Sequence, residues 1–448
     1  MVLGESTGYE VPMRERGQAL LQWTWLGGLV GAACGVASAV FLLLLERATR
    51  FRETHEAIVY TLPIAGVAIG VIYHRWGKPI RGGNNLIIDT IHDNAAPIPL
   101  RMAPMVFAGT ILTHLFGGSA GREGTAVQMG ASMADFIAHR LGVSKEMRPR
   151  LLAAGMAGGF GSVFGTPIAG AIFGLEVTRV GRIDYDALGP ALIASIVGDF
   201  VTRRLGVVHT AYPQAAYLAL TPLVLLKLAV IGAAIAGATV AFVELTHGLK
   251  HLLEHWLPSL PVRMAIGGAA IVAMWKAIGT SDYLGLGVPE IVRSFSDPAL
   301  PAYAFAAKLV FTAVTLASGF LGGEVTPLFF VGATLGNVAS RVLGLPIALG
   351  AGVGLAALFG AAANTPLALS LMAVELLGAA ILPHVLVVAV IAYLLSGHRG
   401  IYPSQRIGRR KSGGPDLART VPLRDFRDRE PAPQALPSAT ARDPAKPT

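Results

Sequence analysis

Charge is what this chain most lacks. Only 14% of its 448 residues are Asp, Glu, Lys or Arg, whereas a soluble domain carries about a quarter. That deficit excludes an ordinary water-solvated surface. A 53% share of hydrophobic residues and a mean hydropathy of +0.59 indicate an integral membrane protein instead. Cysteine is nearly absent, and a single Cys34 excludes an intrachain disulfide. The spacing of a zinc hydrolase is missing too. The 11 histidines show no HExxH, which ranks a membrane-embedded enzyme last and calls for neither metal nor cofactor. The first 22 residues lack a cleavable apolar core, so the run from Trp23 to Leu45 reads as a first spanning helix.

The excess of positive charge, +9, does not imply nucleic acid. Much of it sits in short connections and the tail: Arg14, Arg16, Arg47, Arg50 and Arg52, then Arg406, Arg409, Arg410 and Lys411. Basic loops of this kind tend to face the cytoplasm, so both termini are expected there, with an even number of crossings.

Glycine is plentiful, at 54 residues. Small residues let membrane helices pack closely and break. Apolar segments follow one another at 23–45, 57–73, 103–116, 124–139, 151–178, 187–202, 218–245, 263–279, 303–318, 326–343, 347–361, 366–381 and 383–396. Several can span a bilayer; others are short and interrupted. The expected fold is an all-α membrane protein with tilted and broken helices. Residues 403–448, rich in Pro, Arg and Asp, read as a disordered cytoplasmic tail, and 1–19 as a cytoplasmic lead-in.

The chain repeats itself. FGTPIAGAIFGLEV (164–177) matches ANTPLALSLMAVEL (363–376), GREGT (121–125) matches GGEVT (322–326), and NNLIID (84–89) faces GLGVPE (285–290). The three matches keep one order and nearly one spacing. They divide the chain into halves at 20–204 and 218–402, joined by a linker at 205–217. The glycine-rich stretches 82–86, 117–125 and 318–326 then read as ends of broken helices. A helix N-terminus offers unpaired N–H groups and about half a positive charge, so several converging ends make an anion site without a buried lysine.

These motifs resemble the CLC family of chloride channels and proton-coupled anion antiporters, from about residue 20 to 405. GREGT is similar to the family's GREGP, GGEVTP to its GxFxP, and GGNNLIID stands where it has GSGIP. The departures are similar to the fluoride-exporting CLC-F branch. Asn84 takes the serine position, Thr125 and Val325 replace proline and phenylalanine, and Val177 replaces the inner glutamate of chloride/proton antiporters. GLGVPE, which looks more like GSGIPE, comes after GREGT and is assigned to the second half's structural counterpart. The resemblance implies two inverted halves, a homodimer in the cell (inner) membrane, and export of fluoride against protons; the alternative is a chloride channel or chloride/proton antiporter.

Site expectations follow from the same motifs. Glu123 is the expected gate, occupying the anion site when ionised and leaving it when protonated. Its alternative is a surface pair with Arg122, whose guanidinium is expected to bond loop carbonyls. Asn84 would donate its amide to the anion or cap a helix, and Asn85 could exchange roles with it. Glu324, absent from chloride-transporting members, could pass a proton, hold a cation or hydrogen-bond the gate. Thr326 would bond beside it or cap the helix opened by Pro327. The motif match adds Gly124 and Val325 to the anion ligands, and GIYPSQ makes Tyr402 the inner hydroxyl donor. Glu176 and Glu375 read as structural.

Overall fold

The computed structural model describes residues 13–94, 96–413, 416–417 and 419–428. The first half comprises α1 (Met13–Thr54), α2 (Leu62–Trp76), α3 (Asn84–Asp93), α4 (Met102–Leu115), α5 (Glu123–Arg140), α6 (Arg148–Phe164), α7 (Pro167–Glu176) and α8 (Leu188–Arg204). The second repeats the series with α9 (Pro222–Trp256), α10 (Leu260–Ile278), α11 (Val288–Arg293), α12 (Ala304–Ala317), α13 (Val325–Leu343), α14 (Ile347–Ala362), α15 (Pro366–Leu377) and α16 (Leu382–Leu395). Among the described residues, four stretches are long and apolar enough to cross a membrane: Leu20–Thr54, Glu56–Trp76, Pro222–Trp256 and Leu260–Ile278. They occupy equivalent places, opening each half.

The local chemistry explains the breaks. The segment expected as one run at 151–178 is two helices. Gly165 takes a left-handed φ of 75° after α6, Thr166 follows, and Pro167 opens α7. Asn364 (φ 57°), Thr365 and Pro366 do the same between α14 and α15. The repeated Thr-Pro is thus a helix restart. Within each half, α5 packs on α6 and α13 on α14. Glycines permit this: a methyl group on Gly336 would overlap the Gly350 carbonyl.

Two of the links between the halves lie at these breaks. Gly121 and Gly323 form an antiparallel bridge, with Gly121 N donating to Gly323 O at 2.6 Å and Gly323 N to Gly121 O at 2.8 Å. At α7 and α15, each helix caps the other. Glu375 accepts from Ile168 N (3.0 Å) and Ala169 N (2.8 Å), while Glu176 accepts from Leu367 N (3.2 Å) and Ala368 N (2.8 Å). A carboxylate satisfies two orphan donors at each helix start and complements its dipole.

The expected disorder of the tail does not hold for its first part. Residues Arg406–Ile407 (β1) pair antiparallel with Val421–Pro422 (β2), and α17 (Leu423–Asp428) follows. Ile407, Leu423 and Phe426 are buried against Val180, a small apolar patch that the polar composition of the tail conceals. Residues 429–448 and most of the lead-in 1–19 lie outside the described residues.

Candidate anion and proton site

Three helices begin where the glycine-rich stretches end: α3 at Asn84, α5 at Glu123 and α13 at Val325. Gly83, at φ 53°, turns the chain into α3. The Gly121–Gly323 bridge brings the starts of α5 and α13 together.

Glu123 is 1% exposed and points across the bridge. Its Oε1 accepts from Thr326 Oγ1 at 2.6 Å, and its Oε2 from Thr326 N and Arg122 N, both at 3.1 Å. A carboxylate from one half therefore sits on the N-terminus of the other half's helix. Glu324 precedes α13, yet among the described residues its side chain makes no capping bond there. Thr326 is not the cap either; it lies inside the first turn and serves Glu123.

Two details differ from the sequence reading. Arg122 does face its neighbour, with Nε 3.5 Å from Glu123 Oε1. It stands before the helix at φ −112°, where the side-chain directions of a regular helix do not apply. The pair is nevertheless no surface pair, since Glu123 is buried. The Arg122 Nε finds no hydrogen-bond partner among the described residues, so this nitrogen bonds no carbonyl.

Asn84 is the first residue of α3 rather than its cap. Its Nδ2 stands 3.4 Å from where a Cβ on Gly124 would be, with Glu324 Oε2 at 4.0 Å from the same point. Only glycine leaves that space open. Asn84 Oδ1 is buried and without a partner among the described residues. Asn85 is committed elsewhere: its Oδ1 accepts from Ser404 N at 3.0 Å. Asn84, Asn85, Glu324 and Tyr402 line one cavity of about 290 Å³, with Arg81 and Lys250 on its wall. Tyr402 is buried, as is Val325 at the start of α13. Glu123, Thr326, Gly124, Asn84 and Glu324 thus converge, and Tyr402 faces the adjoining cavity. Thr125, which stands in place of a proline, exchanges a 2.7 Å hydroxyl bond with Thr110. Nothing in the spacing of the sequence singled out Thr110.

The model of the voltage-gated chloride channel family matches residues 65–397. The chain belongs to that family. Among its relatives, a chloride/fluoride channel protein of Pseudomonas syringae pv. tomato is 46% identical over 91% of both chains. The voltage-gated ClC-type chloride channel ClcB of Salmonella typhi is 27% identical, covering 86% of this chain and 92% of its own. Among solved structures, a CLC-type fluoride/proton antiporter superposes with a TM-score of 0.84 at 36% identity, over 89% of this chain and all of the other. A slow cyanobacterial chloride/proton antiporter at 18% identity shares the CLC fold, with a TM-score of 0.74. The CLC chain is a helical membrane protein of two repeated halves, and its glycine-flanked helix starts meet between them.

Proposed function

We propose that the protein exports fluoride from the cytoplasm in exchange for protons. The observation that carries this reading is Glu123 lying on the N-terminus of α13 while Asn84, Glu324 and Tyr402 border the space beside it. A helix start stabilises one negative charge. A carboxylate can hold that position only while no anion does. Protonation releases it, so one side chain competes with the anion and carries the proton. Fluoride is small and strongly hydrated, and replacing its water takes strong donors. Asn84 Nδ2, Thr326, the Tyr402 hydroxyl and the amides near Gly124 and Val325 are suited to that. Asn85, engaged with Ser404, supports the site from behind.

The cavity is read as the cytoplasmic mouth, with Arg81 and Lys250 favouring anion entry. In this reading both termini are cytoplasmic, the protein sits in the cell (inner) membrane, and it works as a homodimer. Relatives named for chloride and for fluoride make selectivity the property to test. Purified protein in liposomes, followed with fluoride, chloride and pH electrodes, should release fluoride well ahead of chloride and take up protons in return. Glu123→Gln should abolish proton movement, because an amide keeps the shape and loses the titrating group. Chloride efflux matching fluoride efflux would remove the fluoride reading. Undiminished proton uptake in the variant would remove Glu123 as the carrier.

A further inference from the structure

α3 has two ends with different partners. Asn84 begins it at the site. Asp89 and Asp93, four residues apart on one face, end it beside the chain that follows Tyr402. There the Arg406 guanidinium, only 9% exposed, reaches Asp93 Oδ2 at 2.7 Å and Asp89 Oδ1 at 3.4 Å. Ser404 Oγ donates to Asp89 Oδ2 at 2.9 Å, and Arg424 Nη1 donates to Ser404 Oγ at 2.9 Å. Ser404 N donates to Asn85 Oδ1. The backbone of Arg406 is fixed in turn: its N donates to Thr178 O at 3.1 Å, and its O accepts from Val180 N at 2.9 Å.

We propose that residues 404–407, braced by Arg424, are a positioning element that sets the distance between Asn84 and Tyr402, with Arg406 as its principal side chain. The path is short. Tyr402 lies two residues before Ser404, Asn84 one residue before Asn85, and the Ser404–Asn85 bond closes the loop. Arg406 holds the far end of α3, and a ten-residue helix moves as a rigid rod about 15 Å long. Releasing that end lets the rod tilt and changes the gap between two groups that face one small ion. A displacement near 1 Å in a bound geometry can alter function by about 100-fold. Asp93 is 60% and Asp89 28% exposed, so water can solvate both carboxylates when Arg406 is lost.

This inference rests on reading Asn84 and Tyr402 as anion ligands. Its test is Arg406→Gln in the full chain, with efflux measured over a range of fluoride and chloride concentrations. The Michaelis constant for the preferred anion should rise about tenfold and the preference between the two should fall, with the maximal rate changed less. Arg406→Lys should recover much of both, because an ammonium still reaches the two carboxylates. Asp93→Asn, mild and half exposed, should shift the same quantities the same way, and it decides the matter should Arg406→Gln not fold. Unchanged Michaelis constants and preference in the folded variants, with only a lower melting temperature, would overturn the proposal. A wild type indifferent between the anions would instead remove the fluoride reading, and positioning would then be judged on the Michaelis constant of whichever anion moves.

Discussion

Glu324 sits closer to the question of mechanism than any other side chain here. It precedes α13, the place from which a carboxylate usually caps a helix, but the cap comes from Glu123 instead. The Glu324 carboxylate borders the space beside Gly124 and Asn84. Removing its charge should therefore leave the helix start intact and change transport. Glu324→Gln is expected to slow fluoride turnover by more than about tenfold, equivalent to about 1.4 kcal/mol on the barrier, with an unchanged melting temperature. Fluoride efflux measured beside thermal unfolding checks this; near-normal transport with a lowered melting temperature would make the residue structural. Glu123 and Asn84 were legible in the sequence because each interrupts a glycine-rich, apolar context. The motif position puts Asn84 ahead of Asn85 in the sequence. The bond that engages Asn85 runs to Ser404, 319 positions away, and no local pattern encodes such a partner.

Helices that border lipid announce themselves as apolar runs, and most of these were found to within a few residues; α1 and α9 run well past the stretches 23–45 and 218–245, and 151–178 holds two helices. α3 and α11 were not, being short and mixed in polarity. The start of α3 was marked only by its glycines. Thr-Pro repeats stood out as a motif, while their restart role needed the left-handed residue before each. Glu176 and Glu375, read as structural, have the most symmetrical task in the molecule. Glu375→Ala removes acceptors from two N–H groups at the start of α7. The expected loss is about 0.5–2 kcal/mol per cap. Thermal unfolding in detergent checks it. A loss near zero would show that other groups satisfy those amides. Glu176→Ala should act similarly on α15.

For the whole molecule, the segment after Tyr402 is a staple across the halves. Gln405 Nε2 donates to Val177 O of the first half (2.8 Å) and Ala363 O of the second (2.7 Å), and its Oε1 accepts from Asn364 Nδ2 (2.8 Å). Further along, the Lys411 ammonium lies 4.1 Å from the Tyr393 ring centre and donates to Tyr393 O at 3.1 Å. Burial lowers the Lys411 pKa from its ordinary 10.5 to about 7. The unfolded or undocked lysine thus binds a proton more readily than the docked one. Docking is weakest, and level, below about pH 7, where both forms hold the proton, and strengthens as pH rises from about 7 toward 10.5. Compared with Lys411→Met, wild-type melting temperature should gain between pH 7 and 9; parallel curves would refute this. Such long-range fastenings escape sequence reading, because a polar tail looks alike whether docked or free.

The crossed caps of α7 and α15 also bear on how the protein is made. A ribosome delivers the first half to the membrane before the second exists. Until α15 arrives, the start of α7 has amides without acceptors, and Glu176 has no donors. In hydrocarbon such orphans are expensive. The first half therefore cannot reach its final packing during its own insertion, and α7 must wait in a wetter or shallower place until its counterpart has been synthesised. The caps of α7 and α15 close only once both halves are present, and neither half carries a finished copy of the site on its own.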